Sequence, residues 1–115
     1  MTEQDYVWMH EFPSAITVCD SDGKILYMNN KSKKTFEKNG ENSMIGTNVL
    51  DCHPEPSKTK LKTMLAQGNA NSYTIEKNGI KKLIHQSPWY EDGKYKGFVE
   101  ISVEIPIDMP HFIRH

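Results

Sequence analysis

The sequence predicts an α+β fold in which about five antiparallel strands form one sheet and short helices pack on one of its faces. Three dipeptides that favour tight turns stand between apolar runs, namely Asp22-Gly23, Asn78-Gly79 and Asp92-Gly93. About forty residues without strand character separate the second apolar run from the third, which leaves room for helices there. Because the last two turns follow each other closely, the final three strands should form an antiparallel meander.

The turns divide the apolar segments into predicted strands. Their bounds, in chain order, are Ala15–Asp20, Lys24–Met28, Asn71–Lys77, Ile80–Tyr90 and Lys96–Ile105. Pro88 lacks a backbone donor, so we expect the fourth strand to loosen or bulge at that position.

Alternation in the last predicted strand assigns its side chains to two faces. The apolar set is Val99, Ile101, Val103 and Ile105, and the polar set is Glu100, Ser102 and Glu104. We expect the apolar set to be mostly buried, because this pattern is typical of a strand with one face on the core. Three other apolar side chains should point outward, namely Ile80, Ile84 and Phe98.

Helices are predicted between the second and third strands. Asn30 should cap a short helix through Lys38, which Asn39-Gly40 should end. Ser57 should cap the start of a second helix, and Gly68 should end it. The apolar stripe of this second helix is Leu61, Met64 and Leu65.

The two ends of the chain flank the predicted domain, which covers residues 14–106. Residues 1–13 should form a lead-in with a short helix over Tyr6–Phe12, whose aromatic side chains should cover apolar surface. Residues 107–115 form a tail. Pro106 precedes this segment and Pro110 interrupts it, so we do not expect a continuous helix there.

Composition and charge favour a cytoplasmic protein. The net charge is −1, from 14 basic and 15 acidic residues, whereas nucleic-acid-binding proteins usually carry a basic excess. No run approaches the ~20 apolar residues of a membrane helix, and residues 1–5 are polar and acidic, unlike a secretory signal. We therefore expect neither nucleic acid nor membrane as a partner, and reduced thiols at Cys19 and Cys52.

The motifs of common enzymes are missing from the sequence. It contains no serine nucleophile elbow and no glycine-rich phosphate loop, and its acidic residues fall mostly in turns or on polar strand faces. We expect the protein not to be an enzyme. Thiol chemistry at Cys52 is a distant alternative.

Three segments together resemble a known family. Residues 16–30 combine an apolar strand, an Asp-Gly turn, a second strand and asparagine before a helix. Residues 45–51 resemble the link into a central helix, and residues 89–97 resemble a final hairpin. In this order and spacing, residues 14–105 resemble a PAS domain. The resemblance implies a sensory or interaction module, with the first strand beside the last at the centre of the sheet and a pocket between the central helix and the sheet.

A closer similarity involves Asp51–Lys58, which contains Cys52-His53-Pro54. This segment is similar to a Cys-His-Pro segment of one PAS subfamily, which occurs alone or attached to hemerythrin-like domains in bacteria and archaea. In the flavin-binding light sensors of the PAS family, a reactive cysteine occupies the position that is Val49 here. The resemblance therefore argues against flavin as a cofactor.

The PAS resemblance also implies which residues would contact a ligand in the pocket. The apolar candidates are Met44, Val49, Leu61, Leu65, Leu83 and Val99, and the polar candidates are His53 and His85. His53 is also a candidate axial ligand of haem, with a structural histidine that bonds a loop carbonyl as the alternative. For His85, contact with a ligand and a partly exposed strand position stay equal alternatives.

These features together predict a sensor that binds a small molecule in an interior pocket and acts through association. One alternative is a ligand-free module for dimerisation and partner recruitment, and another is a haem-dependent redox or gas sensor that uses His53. The expected association is a homodimer formed through the lead-in helix and the outer face of the sheet.

Overall fold

The computed structural model describes residues 7–36 and 44–115. The elements, in chain order, are β1 (Ala15–Asp20), β2 (Ile25–Met28), α1 (Asn30–Phe36), a 3₁₀ helix (Val49–Cys52), α2 (Ser57–Gln67), β3 (Asn71–Lys77), β4 (Ile80–Glu91) and β5 (Lys94–Ile105). A further 3₁₀ turn occupies residues 7–9. The predicted helix stop at Asn39-Gly40, and Tyr6 at the start of the predicted lead-in helix, lie outside the described residues. Within the described ranges, no helix is long and apolar enough to cross a membrane.

The strands lie in one antiparallel sheet of five, in the order β2-β1-β5-β4-β3. The register of β1 against β5 places Ile16 opposite Ile101 and Asp20 opposite Gly97. The predicted fold class and the pairing of the first strand with the last are therefore confirmed. Because β5 is the middle strand of the sheet, its side chains lie at the centre of each face.

Two-residue turns close both C-terminal hairpins. Asn78 and Gly79 have φ angles of 53° and 78°, and Asp92 and Gly93 have φ angles of 52° and 77°. Positive φ at both central positions is the mark of the type I′ turn, which matches the twist of paired strands. The predicted hairpins are confirmed, and the register of β4 against β5 shifts just beyond Pro88.

Gly97 lies where β5 approaches β1 too closely for any side chain. Its φ angle is 152°, and a β-carbon built there would lie 2.0 Å from the backbone oxygen of Cys19. Heavy atoms in van der Waals contact are roughly 3.5–4.0 Å apart, so no larger residue fits without moving a strand. The same oxygen accepts a hydrogen bond of 3.0 Å from Trp89 Nε1. Glycine at this position therefore permits the central strand pairing.

The helices cover the face of β5 opposite to the one that alternation predicts. Phe98 and Ile84 lie on the helix-covered face and are only 5% and 6% exposed, so the prediction that they point outward is wrong. Ile80, the first residue of β4, is exposed, although alternation along the strand places it on the same side as Ile84. The apolar set that was predicted to be mostly buried is only half-buried on the other face: Val99, Ile101, Val103 and Ile105.

Apolar clusters on both faces of the sheet are the physical reason for this difference. On the outer face, which the helices do not cover, a buried cluster consists of Ile16, Val18 and Tyr27. Partly buried side chains packed against it are Met9, Trp89, Val99 and Ile101. Met9 belongs to the lead-in segment, which thus covers part of this face. Alternation separates the two faces of a strand, but it does not indicate which apolar face receives the helices.

Asn29 connects the lead-in segment, the sheet and α1 through hydrogen bonds of its side chain. Its side chain is fully buried, and its Oδ1 accepts from the Ser32 amide at 3.0 Å and from a backbone amide of β1 at 2.9 Å. Its Nδ2 donates to the carbonyl oxygens of Met9 at 3.0 Å and Ser14 at 2.8 Å. Asn29, rather than the predicted Asn30, therefore caps α1.

The helix α2 begins at Ser57, but its cap differs from the prediction. Glu55, rather than Ser57, provides the side-chain cap, because its Oε1 accepts from the Thr59 amide at 2.9 Å and from Thr59 Oγ1 at 2.7 Å. The helix ends at Gly68, with a φ angle of 65°, as predicted. The predicted stripe is confirmed by the burial of its members: Met64 and Leu65 are buried, and Leu61 is half-buried.

Candidate functional site

A cavity of about 330 Å³ lies between the helix-covered inner face of the sheet and the helical segments. Its wall is largely apolar. The strands contribute Thr17, Tyr73, Ile84, Gln86, Glu100 and Ser102, and the helical side contributes Phe36, Met44, Val49, His53 and Leu61. Small-molecule sites in proteins have volumes of roughly 300–1,000 Å³, so this cavity suits a small ligand.

Most of the predicted ligand-contacting residues border this cavity: Met44, Val49, His53, Leu61 and Val99. Val99 borders it even though its side chain packs against the outer-face cluster. Leu65 is instead buried in a cluster with Cys19, Met64 and Phe98, where α2 packs on the sheet. Contact of the five cavity-wall residues with a ligand stays a prediction.

Leu83 and His85 lie on the outer face of β4, so the structure corrects the predicted cavity wall at both positions. His85 pairs with Ile101, which packs against the outer-face cluster. Ser72 Oγ lies 2.6 Å from His85 Nδ1, at an exposed position. The wrong choice of face for β5 carries over to β4, because directly paired residues point to the same side of a sheet.

A row of polar side chains crosses the inner face, and sequence reasoning missed it. Asn71 Nδ2 donates to Gln86 Oε1 at 3.2 Å, and Gln86 Nε2 donates to Glu100 Oε2 at 2.8 Å. The row thus links β3, β4 and β5. The contact between Asn71 and Gln86 could have been predicted from the Asn78-Gly79 turn. A two-residue turn pairs Lys77 with Ile80, and this register places Asn71 opposite Gln86.

No protein-family model matches this chain, and no curated protein matches it. Solved structures do. The PAS domain of BvgS from Bordetella pertussis matches with a TM-score of 0.68 at 16% identity, over 90% of this chain and 85% of that chain. A PAS domain of an HTR-like protein from Haloarcula marismortui matches with a TM-score of 0.61 at 17% identity, over 89% of each chain. The chain has a PAS fold.

A third match is a sensory box sensor histidine kinase from Vibrio cholerae, with a TM-score of 0.60 at 18% identity over 90% of each chain. Identities this low establish the fold alone. The chemistry of the cavity therefore has to be derived from the residues of this PAS fold itself.

Cys19 borders the cavity of the PAS fold but is poorly suited to nucleophilic chemistry. Burial raises the pKa of its thiol, a hydrogen bond with the Phe98 backbone lowers it, and the charges of Asp20 and Glu100 raise it, so the pKa is raised on balance. Because the thiolate is the nucleophile, a raised pKa reduces the reactivity of the group.

His53 follows the 3₁₀ helix of the PAS fold and is exposed. Its Nδ1 lies 2.7 Å from the carbonyl oxygen of Val49. A carbonyl oxygen only accepts, so Nδ1 carries a proton and Nε2 is the acceptor of the neutral ring. This contact agrees with the alternative to haem ligation, in which His53 has a structural role and bonds a loop carbonyl. In the part of the chain that the structure describes, no group of three or more His, Cys, Asp or Glu side chains is placed to hold a metal ion.

Proposed function

We propose that this chain is a sensory PAS module that binds a small molecule in its cavity and transmits binding through association with a second copy. The observation that supports ligand binding is a largely apolar cavity of about 330 Å³ whose wall contains Gln86 and Glu100, two polar side chains held by a hydrogen bond to each other. Ligand sites generally combine these two properties. A module with a filled core would leave no such volume at the packing density of protein interiors.

The proposed association uses the lead-in segment and the outer face of the sheet. Val7 and Trp8 are 61% and 66% exposed, in a segment whose Met9 packs on the outer face. The rings of Trp8 and Phe12 lie edge to face, with centroids 5.9 Å apart. A two-fold symmetric pair would bury these apolar side chains from both copies at once.

The proposed role is binding and not catalysis. The buried Cys19 thiol has a raised pKa, and the cavity wall offers a hydrogen-bonded glutamate without a neighbouring nucleophile–base pair among the described residues. The similarity of Asp51–Lys58 to the Cys-His-Pro subfamily supports a place in bacterial or archaeal signalling proteins, including those with hemerythrin-like domains.

Native mass spectrometry of freshly purified protein tests ligand binding. We expect a non-covalent adduct that is released on denaturation. Ser102→Phe enlarges a side chain in the cavity wall and should abolish the adduct. Val103→Phe is the matched control, because it adds the same ring at the next position of β5, on the opposite face.

Fresh protein without any adduct would contradict the proposal and favour the ligand-free dimerisation module. The same preparation addresses the haem alternative. We expect no Soret band, and a strong Soret band that disappears in His53→Ala would establish a haem sensor instead.

A further inference from the structure

We propose that the cavity selects a ligand with an apolar body and a cationic head group of the ammonium or amidinium class, and that Glu100 binds this head group. The inference rests on the proposed function, because it names the ligand class of the same cavity. It is carried by the position of the Glu100 carboxylate, which borders a largely apolar cavity and has one oxygen without a hydrogen bond from any described residue.

The Glu100 carboxylate is held at the middle of the inner face. In register, Glu100 lies between Thr17 of β1 and Gln86 of β4. Gln86 donates to Glu100 Oε2 at 2.8 Å and accepts from Asn71 at 3.2 Å, so the orientation of its amide is determined from both sides. Glu100 Oε1 is then left to accept a hydrogen bond from a ligand.

In addition to burial, the negative charge of Glu100 raises the pKa of two other groups that border the cavity, the Tyr73 hydroxyl and the Cys19 thiol. Burial raises the pKa of the Tyr73 hydroxyl, and the charge of Glu100 raises it further. The pKa of the Cys19 thiol is raised chiefly by burial and in part by Glu100. Charges interact more strongly beside apolar groups than in bulk water, so a cationic donor gains more at Glu100 than a neutral donor does.

Lys82 also borders the cavity, but it lies at a distance from Glu100. Lys82 is opposite Glu104 in the sheet, whereas Gln86 is opposite Glu100. Four residues along a strand span about 13 Å, so Glu104 is the acidic residue that faces Lys82. The part of the cavity wall at Glu100 is therefore anionic, and a negatively charged head group would be repelled there.

Three compounds that share a phenyl body and differ in head group test this selectivity: phenethylammonium, 2-phenylethanol and phenylacetate. Their binding to the full chain is followed by the amide NMR shifts of cavity-wall residues. We expect phenethylammonium to bind about tenfold more tightly than 2-phenylethanol, because its hydrogen bond to the carboxylate is charge-assisted. Phenylacetate should bind most weakly.

Two variants then assign the selectivity to one residue. Glu100→Gln keeps an oxygen that accepts from Gln86 but removes the charge, so it should abolish the tenfold preference. Glu104→Gln removes the same charge from the same face of β5, at a position outside the described cavity wall, and should keep the preference. Amide shift dispersion shows whether each variant is folded.

Each other result overturns a distinct part of the inference. Equal binding of the three compounds, or tightest binding of phenylacetate, overturns the cationic head group and leaves the cavity as a ligand site. A tenfold preference that survives in folded Glu100→Gln overturns the role of Glu100. No shift change with any compound at millimolar concentration overturns the ligand cavity itself.

Discussion

Asn29 and Gly97 are two positions of this PAS fold at which the surroundings determine the residue, through hydrogen bonds at Asn29 and through lack of space at Gly97. Asn29 is fully buried and joins the lead-in segment, β1 and α1 through hydrogen bonds of both ends of its amide. Gly97 has a steric requirement, because the position of its missing β-carbon is 2.0 Å from the Cys19 oxygen. Both residues therefore act on the β1–β5 region, on which the cavity is built.

Gly97→Ala should destabilise the domain by at least about 2 kcal/mol, because β1 and β5 must separate to admit the methyl group. Gly93→Ala is the matched control. Its φ angle of 77° also disfavours alanine, but nothing lies within 4 Å of the added carbon, so the loss should be about 1 kcal/mol. Urea denaturation measures both free energies of unfolding. Equal losses would contradict the steric explanation.

Helix α2 depends on a carboxylate that precedes it. The hydroxyl and then the backbone amide of Thr59 lower the pKa of Glu55, against a weaker opposing effect of burial, and Lys58 and Lys62 lower it slightly more. Because the folded pKa lies below the unfolded pKa, the ionised form stabilises the helix start above the unfolded pKa. This contribution is lost as the pH falls through the folded pKa.

Acidification should therefore open the first turn of α2 before the rest of the domain. The protection factor of the Thr59 amide against hydrogen exchange should fall in acid, because that amide donates to Glu55 at 2.9 Å. Glu55→Gln should remove most of this pH dependence. Glu76→Gln, at an exposed position on β3, should leave it unchanged. A Thr59 amide with the same pH response in Glu55→Gln would disprove the assignment.

Considered as a whole molecule, this PAS fold keeps large apolar side chains exposed near both ends of the described chain. In the lead-in these are Val7 and Trp8, and in the tail they are Ile107, Met109, Phe112 and Ile113. Burial of such a side chain contributes roughly 1.5–3 kcal/mol. The lead-in lies beside the outer face of the sheet through Met9, so that surface is the one we propose to pair with a second copy.

Deleting residues 1–12 should convert a dimer to monomers or aggregates, because the deletion removes the lead-in and exposes the outer face. Deleting residues 107–115 is the control, since it also removes exposed apolar side chains but should leave the dimer intact. Analytical ultracentrifugation measures the oligomeric state of both deletion variants. A full-length chain that sediments as a monomer at high micromolar concentration would exclude the dimer and assign the lead-in to its own sheet.

The sequence by itself determined the local elements of the fold. Asn78-Gly79 and Asp92-Gly93 predicted both C-terminal hairpins, and Gly68 predicted the end of α2. These features depend on backbone angles and hydrogen bonds within a few positions of the residues concerned. The resemblance of residues 14–105 to a PAS domain then ordered the elements correctly, with β1 beside β5.

Only the tertiary structure decided which face of the sheet the helices cover, and therefore which residues form the cavity wall. Glu100 borders the cavity, although alternation assigns it to the polar face of β5, and His85, whose face alternation left open, does not. Period-two alternation assigns residues to opposite faces, but the choice of face depends on the packing of α2 and the lead-in, which are remote in sequence.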